Sequence, residues 1–390
     1  MVQNKKKSLK GVYLYSHFKE FHSLYKNLIK FPPEGYEYNI PQPMEKLSQK
    51  PAILKFLNYS AKKIVNPTKI REFKSKKLEI PKGTNLIYSA GNLMLKKFNW
   101  VVDCEHVTSF SGWDLNHFKK DKRHIEKILS SNHCKKIIPW TNAGKKTILD
   151  NLNCENFENK IETVNLAVDK KDFIKQFQDE KIKILFITSA NLPQDFYMKG
   201  GKDVFQIFEK ISENYPQVEL IVRSWVPKEI KEKYGNNKNI KIIDTIIPWG
   251  KLEKIFQTSD IFLFPAHMTV GLAMLDAMSY ELPIITTDVW ANEEMVNNNI
   301  NGIIIDAPKK IPYYVENFIP NWRSKEYVAA LRLERPEFIQ KNYDALVRLI
   351  ENKNLRRKMG KKSRKMIETG PFSIKQRNIK LKRIFDNSIQ

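Results

Sequence analysis

The feature that most constrains this chain is a regular alternation of strand-like and helix-like segments between residues 181 and 286. Five short apolar, β-branched runs alternate with four segments of helical spacing. Such alternation predicts a parallel sheet with helices on both faces, and ligands bind such sheets at the carboxyl ends of the strands. The predicted strands are residues 181–187, 218–222, 240–243, 261–264 and 283–286, and the predicted helices are residues 203–211, 228–234, 252–258 and 272–280.

The first half of the chain contains similar strand-like runs, which predict a second α/β layer. The lysine-rich residues 59–82 are predicted to be a loop or an irregular insertion, and residues 307–335 are less regular. The runs in the first half are residues 11–15, 85–88, 100–102 and 136–138, and three more helices are predicted at residues 342–351, 355–368 and 374–385.

Length and composition exclude several classes of protein. A chain of 390 residues with 42% hydrophobic residues is long enough for two or three domains, which excludes a peptide-sized module and wholesale disorder. Its three cysteines lack metal-ligand spacing and fit buried thiols in a reducing compartment. The most apolar stretch, residues 261–275, is too short to cross a bilayer, and no apolar signal segment follows the first lysines. We therefore expect a cytoplasmic protein.

The net charge of +24 is concentrated at the two ends of the chain. Residues 1–170 hold 31 basic and 16 acidic residues, residues 171–350 hold 23 and 24, and residues 351–390 hold 13 and 3. Basic ends are compatible with nucleic acid, anionic lipid or a phosphorylated substrate, and equally with solvated lysine faces on helices. No nucleic-acid-binding motif is present, so a nucleic-acid partner is the least favoured of these.

Two loops have the residue types that bind a diphosphate and a ribose. The first enters a helix through Lys199 and Gly200, where glycine lets backbone amides approach an anion and the lysine adds a full positive charge. The second follows the strand 261–264, and there Gly271 opens a helix that carries Asp276. A carboxylate in that helix can accept hydrogen bonds from ribose hydroxyls, although for Asp276 taken alone a capping or exposed side chain is the favoured interpretation.

The second loop and its helix resemble the signature of the retaining glycosyltransferases of family 4, which have the GT-B fold. The family pattern is roughly Pro-Ser-x-x-Glu-Gly-Phe-Gly-x-x-x-x-Glu-Ala-Met-Ala-x-Gly-x-Pro-Val-Ile. The resemblance is close over about residues 181–306 and looser in the tail. The matching residues are Phe264, Pro265, Gly271, Asp276, Ala277, Met278, Pro283, Ile284, Ile285 and Asp288, with Lys199-Gly200-Gly201 before them and Phe372-Ser373 after them.

The resemblance implies two Rossmann-like domains facing each other across a cleft, at residues 1–170 and 171–370, with a C-terminal helix at 371–390 crossing back to the first. It implies that Lys199 and the amides of Gly271 and Leu272 hold the diphosphate of a sugar nucleotide and that Asp276 binds its ribose. His106, which closes the strand-like run from Trp100, matches the residue that touches the donor near the reacting sugar. The family needs no metal, and the sequence has no Asp-x-Asp motif.

This sequence departs from the family at three places. The first acidic residue of the pattern falls on Met268, which removes a carboxylate that would bind the donor sugar, so His267 or Thr269 is expected to reach the sugar instead. Asp276 stands where glutamate is commoner. The arginine that usually follows the first strand of this domain is missing, which leaves Arg223 to help Lys199 bind the diphosphate.

The expected activity is transfer of a sugar from a nucleoside-diphosphate donor to an acceptor hydroxyl with retention of configuration, in glycan, lipid-linked or cell-surface polysaccharide biosynthesis. The basic ends are expected to form one face on the first domain and to dock on anionic lipid at the inner face of the membrane, or on a phosphate-bearing acceptor. The alternative is a catalytically weakened or inactive GT-B protein that serves as a binding or scaffolding subunit, because the first carboxylate is absent.

Overall fold

The computed structural model describes residues 9–16, 21–40, 67–176, 181–268, 271–322 and 324–390. The chain divides into two compact units. The first unit comprises Met1–Leu166, Asn317–Ile319 and Lys375–Gln390, and the second comprises Ala167–Glu316 and Pro320–Ile374. The chain therefore changes unit at 166/167, where the sequence predicts 170/171, and its last segment rejoins the first unit at Lys375.

In the described part of the first unit, five parallel strands form one sheet in the order β2-β1-β3-β4-β5. Valine, leucine and isoleucine side chains of these strands are buried, as expected for a parallel sheet covered on both faces. The strands are β1 Lys10–Tyr15, β2 Tyr36–Asn39, β3 Thr84–Ala90, β4 Trp100–Cys104 and β5 Cys134–Pro139, and the helices that accompany them are α1 Ser23–Lys30, α2 Pro67–Lys76, α3 Leu115–Leu129 and α4 Asn142–Asn151.

The sheet of the second unit has six described parallel strands in the order β11-β10-β9-β6-β7-β8. The strands are β6 Ile182–Ile187, β7 Val218–Arg223, β8 Ile240–Ile243, β9 Ile261–Phe264, β10 Ile284–Thr287 and β11 Gly302–Ile305. A separate two-stranded sheet pairs β12 Tyr314–Val315 with β13 Ile319–Pro320. The helices are α5 Pro193–Met198, α6 Gly201–Asn214, α7 Lys228–Tyr234, α8 Trp249–Thr258, α9 Leu272–Ser279, α10 Asn292–Met295, α11 Lys325–Ala330, α12 Pro336–Glu351 and α13 Lys353–Glu368.

All of the strands predicted from the alternating pattern are present, within a residue or two at each end. The prediction of a loop at residues 59–82 is wrong for α2, while residues 59–66 lie outside the described part of the chain. The buried face of α2 consists of Thr68, Glu72 and Ser75. Because these residues are polar, the helix has no hydrophobic periodicity that sequence reasoning could detect.

The last helix, α14 Ile374–Ile389, packs within the first unit. The ring of Phe385 lies 5.2 Å from that of Tyr36 and 6.3 Å from that of Tyr88, and Arg377 donates a hydrogen bond to the carbonyl of Phe31. The basic tail, however, does not join the first unit as a whole, because α13 belongs to the second unit. Of the basic residues in 351–390, only those of α14 therefore belong to the same unit as residues 1–166, and a common basic face stays a prediction.

Candidate functional site

The order of strands in the second unit puts its topological switch point between β6 and β9. From β6 the chain adds β7 and β8 on one side, and it then crosses to the other side of β6 to form β9, β10 and β11. At such a switch point the loops after neighbouring strands diverge to opposite faces, which opens a crevice at the carboxyl ends. The two loops that leave β6 and β9 are those that contain Lys199 and Gly271.

These two loops are in direct contact on either side of Lys199. The backbone N–H of His267 donates a hydrogen bond of 2.9 Å to the carbonyl of Met198. Gly200 adopts φ +82°, and a Cβ at this position would lie 2.3 Å from the carbonyl oxygen of Pro265. Only glycine therefore fits position 200, both for its conformation and for the space available. The contacts bring the predicted residues Lys199 and Gly200 beside the loop after β9.

The Lys199 side chain lies along the end of β9 and is 9% exposed. Its Nζ atom is 5.7 Å from the centre of the Phe264 ring. Burial raises the pKa of the nearby Asp195, and the positive charge of Lys199 opposes that rise. Immediately after Gly200 begins α6, whose first N–H groups have no carbonyl partner within the helix. A cation and a helix start thus occur together, as an anion site requires.

The loop after β9 ends at Gly271, which precedes the first residue of α9, Leu272. Gly271, at the start of this helix, has an extended conformation with φ −94° and has no side chain of its own to act as a cap. Among the described residues, the nearest atom to a Cβ at Gly271 would be the backbone nitrogen of Ala273, at 3.9 Å. Gly271 and Leu272 therefore form a helix N-terminus at the predicted position.

Asp276 lies in the second turn of α9 and is half-buried. Burial raises the pKa of Asp276 to about 7, while the positive charge of Lys171 lowers it and the negative charge of Asp169 raises it. No described residue donates a hydrogen bond to its carboxylate. The ammonium of Lys171 lies 5.1 Å from the Trp249 ring. Sequence reasoning missed Lys171 and Asp169 because they lie in an irregular segment, where only their charge stands out.

Arg223 ends β7, the neighbour of β6, and reaches the same edge of the sheet. Its Nη1 donates a 2.7 Å hydrogen bond to the carbonyl of Thr188, the first residue after β6. Burial lowers the pKa of Arg223. The structure therefore places this predicted residue beside the loop that leads to Lys199, with one guanidinium nitrogen engaged by the backbone.

The expectation that His267 reaches the donor sugar is wrong for the described conformation. The side chain is fully buried and points away from solvent into the second unit. Its Nε2 lies 2.8 Å from Asp203 Oδ2 and its Nδ1 lies 3.0 Å from Tyr313 Oη, so both ring nitrogens are engaged. Sequence reasoning missed Asp203 and its partner Arg335, because the two are more than 130 residues apart. Met268 is half-buried, and Thr269 lies outside the described residues.

His106 belongs to the first unit, two residues after the end of β4. The side chain is 2% exposed, and Nδ1 lies 3.1 Å from Thr108 Oγ1. Its backbone N–H donates to Ser109 Oγ at the start of a short 3-10 helix, Val107–Ser111. The structure therefore places His106 at the carboxyl end of a central strand, with a local role in starting this helix.

The described residues contain no group of three or more His, Cys, Asp or Glu side chains that could hold a metal ion. Among the described helices, none combines the length and the apolar character needed to span a bilayer.

Comparison with known proteins finds a family match within the second unit. Residues 168–329 match the family described as Glycosyl transferases group 1. The uncharacterized glycosyltransferase MJ1607 of Methanocaldococcus jannaschii is 21% identical over 174 residues, which cover 42% of this chain and 43% of that protein. The putative glycosyltransferase YtcC of Bacillus subtilis is 22% identical over 153 residues, which cover 36% and 37%. The match thus spans about two fifths of the length of these curated relatives.

Solved structures share the fold of the two described units. The Anabaena protein HepE, crystallised with UDP-glucose, superposes with a TM-score of 0.59 at 9% identity, covering 96% of this chain and 99% of that one. Staphylococcus aureus TarM, crystallised with fondaparinux, α-GlcNAc-glycerol and UDP, superposes with a TM-score of 0.56 at 18% identity, covering 80% and 57%. At these identities the likeness concerns the fold alone. The chain thus has the fold of the GT-B glycosyltransferase structures, and its residues 168–329 match the glycosyl transferases group 1 family.

Proposed function

We propose that this protein transfers a sugar from a nucleoside-diphosphate sugar to an acceptor hydroxyl with retention of anomeric configuration, as family 4 enzymes do. The observation that carries the proposal is the contact between the two loops at the switch point of the second unit. His267 N–H bonds to Met198 and Gly200 fits against Pro265, so Lys199 lies beside the loop that leads to Gly271. The group 1 domain, residues 168–329, contains this site.

Each residue of the site has a role in this reaction. The ammonium of Lys199 and the backbone amides at Gly271 and Leu272 stabilise the negative charge that develops on the leaving diphosphate. Arg223 adds positive charge at the end of β7. The Asp276 carboxylate accepts hydrogen bonds from the ribose hydroxyls, which replace the water that burial removes. Since protein groups neutralise the diphosphate, the proposal includes no metal ion or other cofactor.

Uridine diphosphate sugars are the first donors to test, because HepE was crystallised with UDP-glucose and TarM with UDP. The acceptor is proposed to be a glycan or a lipid-linked saccharide. An assay with a panel of uridine, guanosine and adenosine diphosphate sugars identifies the sugar that is transferred. Release of the nucleoside diphosphate and appearance of the glycosylated product are measured together, because simple hydrolysis of the donor gives only the first signal.

The decisive test compares Lys199→Ala with Lys228→Ala. Loss of the Lys199 ammonium is expected to lower kcat/KM about 100-fold or more, since it removes charge stabilisation in the transition state. Lys228 lies in the same unit, its side chain is 88% exposed, and its ion pair with Glu232 is a surface pair within one helix. Lys228→Ala should therefore keep normal activity. A chain that transfers no sugar from any donor would favour the non-catalytic alternative. A Lys199→Ala variant as active as Lys228→Ala would instead exclude Lys199 from the donor site.

The proposal gives His106 contact with the donor near the reacting sugar. Because His106 also starts a helix in the first unit, His106→Asn is the appropriate variant, since asparagine is a good residue at a helix start. Transfer should fall while the melting temperature changes little. Unchanged transfer by a folded His106→Asn protein would assign His106 a structural role alone.

We also propose that the first unit docks on an anionic membrane surface through lysines of its own and of α14. The support is the charge of residues 1–170 together with the packing of α14 in this unit. Vesicles that contain 30% phosphatidylserine should retain the protein at low salt and release it at high salt. Equal retention on uncharged phosphatidylcholine vesicles, or none on either, would contradict this proposal.

A further inference from the structure

His267 is held at four of its atoms by the protein. Asp203 engages Nε2 and Tyr313 engages Nδ1, as described above. The backbone N–H bonds to Met198, and the backbone carbonyl accepts a hydrogen bond from the hydroxyl of Tyr327. A carboxylate can only accept, so Nε2 carries the proton in the bond to Asp203. The residue therefore has one orientation and no remaining group for a ligand.

The acidic partner of His267 is itself fixed by Arg335. The guanidinium donates to Asp203 Oδ1 from Nε at 2.9 Å and from Nη2 at 2.6 Å. Its remaining hydrogen bonds go to backbone carbonyls, including that of Leu333 at 2.9 Å. Burial by itself would raise the pKa of Asp203, but the hydrogen bond from His267 and the charge of Arg335 hold it below its usual value. The carboxylate is therefore ionised and fully paired.

Stability alone does not account for this arrangement. Replacement of a buried ion pair by apolar residues of similar volume is often neutral or stabilising, because burying charges costs solvation free energy. Apolar contacts, however, have no direction, whereas these hydrogen bonds permit a single position of the loop. That position matters, because His267 lies two residues after Pro265, which fits against Gly200, and both contacts flank Lys199.

We infer that Arg335, Asp203 and His267 form a positioning relay for the donor site. The relay holds the loop after β9 against the Lys199 segment, so that the ammonium and the start of α9 serve the same diphosphate. His267 is thus a positioning residue that touches no substrate. This inference rests on the proposed function. The loop that the relay fixes has Met268 at the position where the family 4 pattern has an acidic residue.

The test compares His267→Ala, His267→Gln and Leu346→Ala in the full chain. His267→Ala should lower kcat about 10- to 100-fold with a smaller change in KM, since a displacement near 1 Å is enough for such a loss. Glutamine places an amide nitrogen near the position of Nε2, and it should restore kcat to within a few-fold. Leu346 is fully buried on α12 and far along that helix from Arg335, so Leu346→Ala destabilises the same unit without touching the loop.

The readout separates positioning from stability. When the two variants have the same decrease in melting temperature, the relay predicts that kcat falls in His267→Ala and stays normal in Leu346→Ala. Equal kcat in these two variants, or no rescue by His267→Gln, would overturn the inference.

A second measurement does not depend on activity. Amide hydrogen exchange of residues 264–268 in the unliganded chain should accelerate in His267→Ala and Asp203→Asn and remain slow in Leu346→Ala. If the wild-type chain transfers no sugar, the proposed function fails and this measurement decides the relay alone. Acceleration then supports the anchored loop, and unchanged exchange overturns it.

Discussion

Each unit has an aspartate near the carboxyl edge of its parallel sheet, and the two differ in their burial and in the hydrogen bonds that they accept. Asp103, in β4 of the first unit, is completely buried and accepts four hydrogen bonds. Asp276, in α9 of the second unit, is half-buried and receives none from any described residue. The four donors to Asp103 are Tyr25 Oη at 3.2 Å, Tyr88 Oη at 3.2 Å, the Gly91 N–H at 2.9 Å and Trp140 Nε1 at 3.1 Å.

The difference separates a structural carboxylate from one that is available to a ligand. Burial raises the pKa of Asp103 to about 6, and its four hydrogen bonds oppose that rise. Burial raises the pKa of Asp276 to about 7, with only the charge of Lys171 in opposition. A partly desolvated carboxylate without protein donors gains most from a ligand that brings hydroxyl groups. Asp103 instead connects the end of β4 to the segments that follow β1, β3 and β5.

The largest expected effect is on stability and concerns Asp103→Ala. This change leaves buried donors of Tyr25, Tyr88 and Trp140 without an acceptor, which should cost about 4 kcal/mol of unfolding free energy. Urea unfolding followed by circular dichroism measures the loss. A loss below about 1 kcal/mol would show that solvent or another group satisfies these donors, and the contrast between the two aspartates would disappear.

The second expected effect is on transfer and concerns Asp276→Ala. Loss of the ribose contact should lower kcat/KM for the sugar nucleotide about 100-fold, while the free energy of unfolding stays the same or increases. Asp172→Ala is the matched control, because Asp172 is an exposed carboxylate of the same unit. Equal kinetics of the two variants would mean that Asp276 does not bind the donor.

The third expected effect is a pH dependence of the donor KM. Ionised Asp276 accepts hydroxyl hydrogen bonds better than the protonated acid, so KM should fall about tenfold between pH 6 and pH 8, as a group of pKa near 7 ionises. The Asp276→Asn variant should lack this change.

The same shift has a consequence for stability. Because the folded pKa is raised, the folded chain holds more protons than the unfolded chain between about pH 4 and pH 7, and the unfolding free energy falls as the pH rises through this window. Asp276→Asn should reduce that fall, and the difference from the wild type should vanish below about pH 4. A wild-type stability profile identical to that of the variant would contradict the assigned pKa.

The smallest expected effect concerns Lys171→Ala. Removal of the positive charge that lowers the pKa of Asp276 should move the pH midpoint of KM upward by less than about one unit. The exposed neighbour Lys170 provides the control, and Lys170→Ala should leave the midpoint in place. A downward shift in Lys171→Ala would exclude this electrostatic coupling.

Sequence patterns predicted β6 to β10 and α6 to α9 of the second unit, because these strands are rich in apolar residues and alternate with helical segments. They did not predict β11, α5, α10 or α11. The same reasoning failed for α2, whose buried face contains Thr68, Glu72 and Ser75 rather than apolar residues. The same distinction, between residues that belong to a regular pattern and residues that do not, applies to the site. Lys199 and Gly200 stand out beside a predicted strand and helix, whereas the environment of Asp276 depends on Lys171 and Asp169, which follow no period.

His267 shows most clearly where sequence reasoning ends. The chain order alone placed a histidine in a ligand-binding loop, where a polar side chain is expected to face the ligand. Whether it does so depends on Asp203 and Arg335, which come from distant parts of the chain and meet only after folding. The sequence by itself determined two parallel sheets and the loops at their carboxyl ends, because periodicity and glycine act over short distances. The tertiary structure decided which polar side chains are satisfied inside and which remain for a ligand, since burial and pairing depend on distant neighbours.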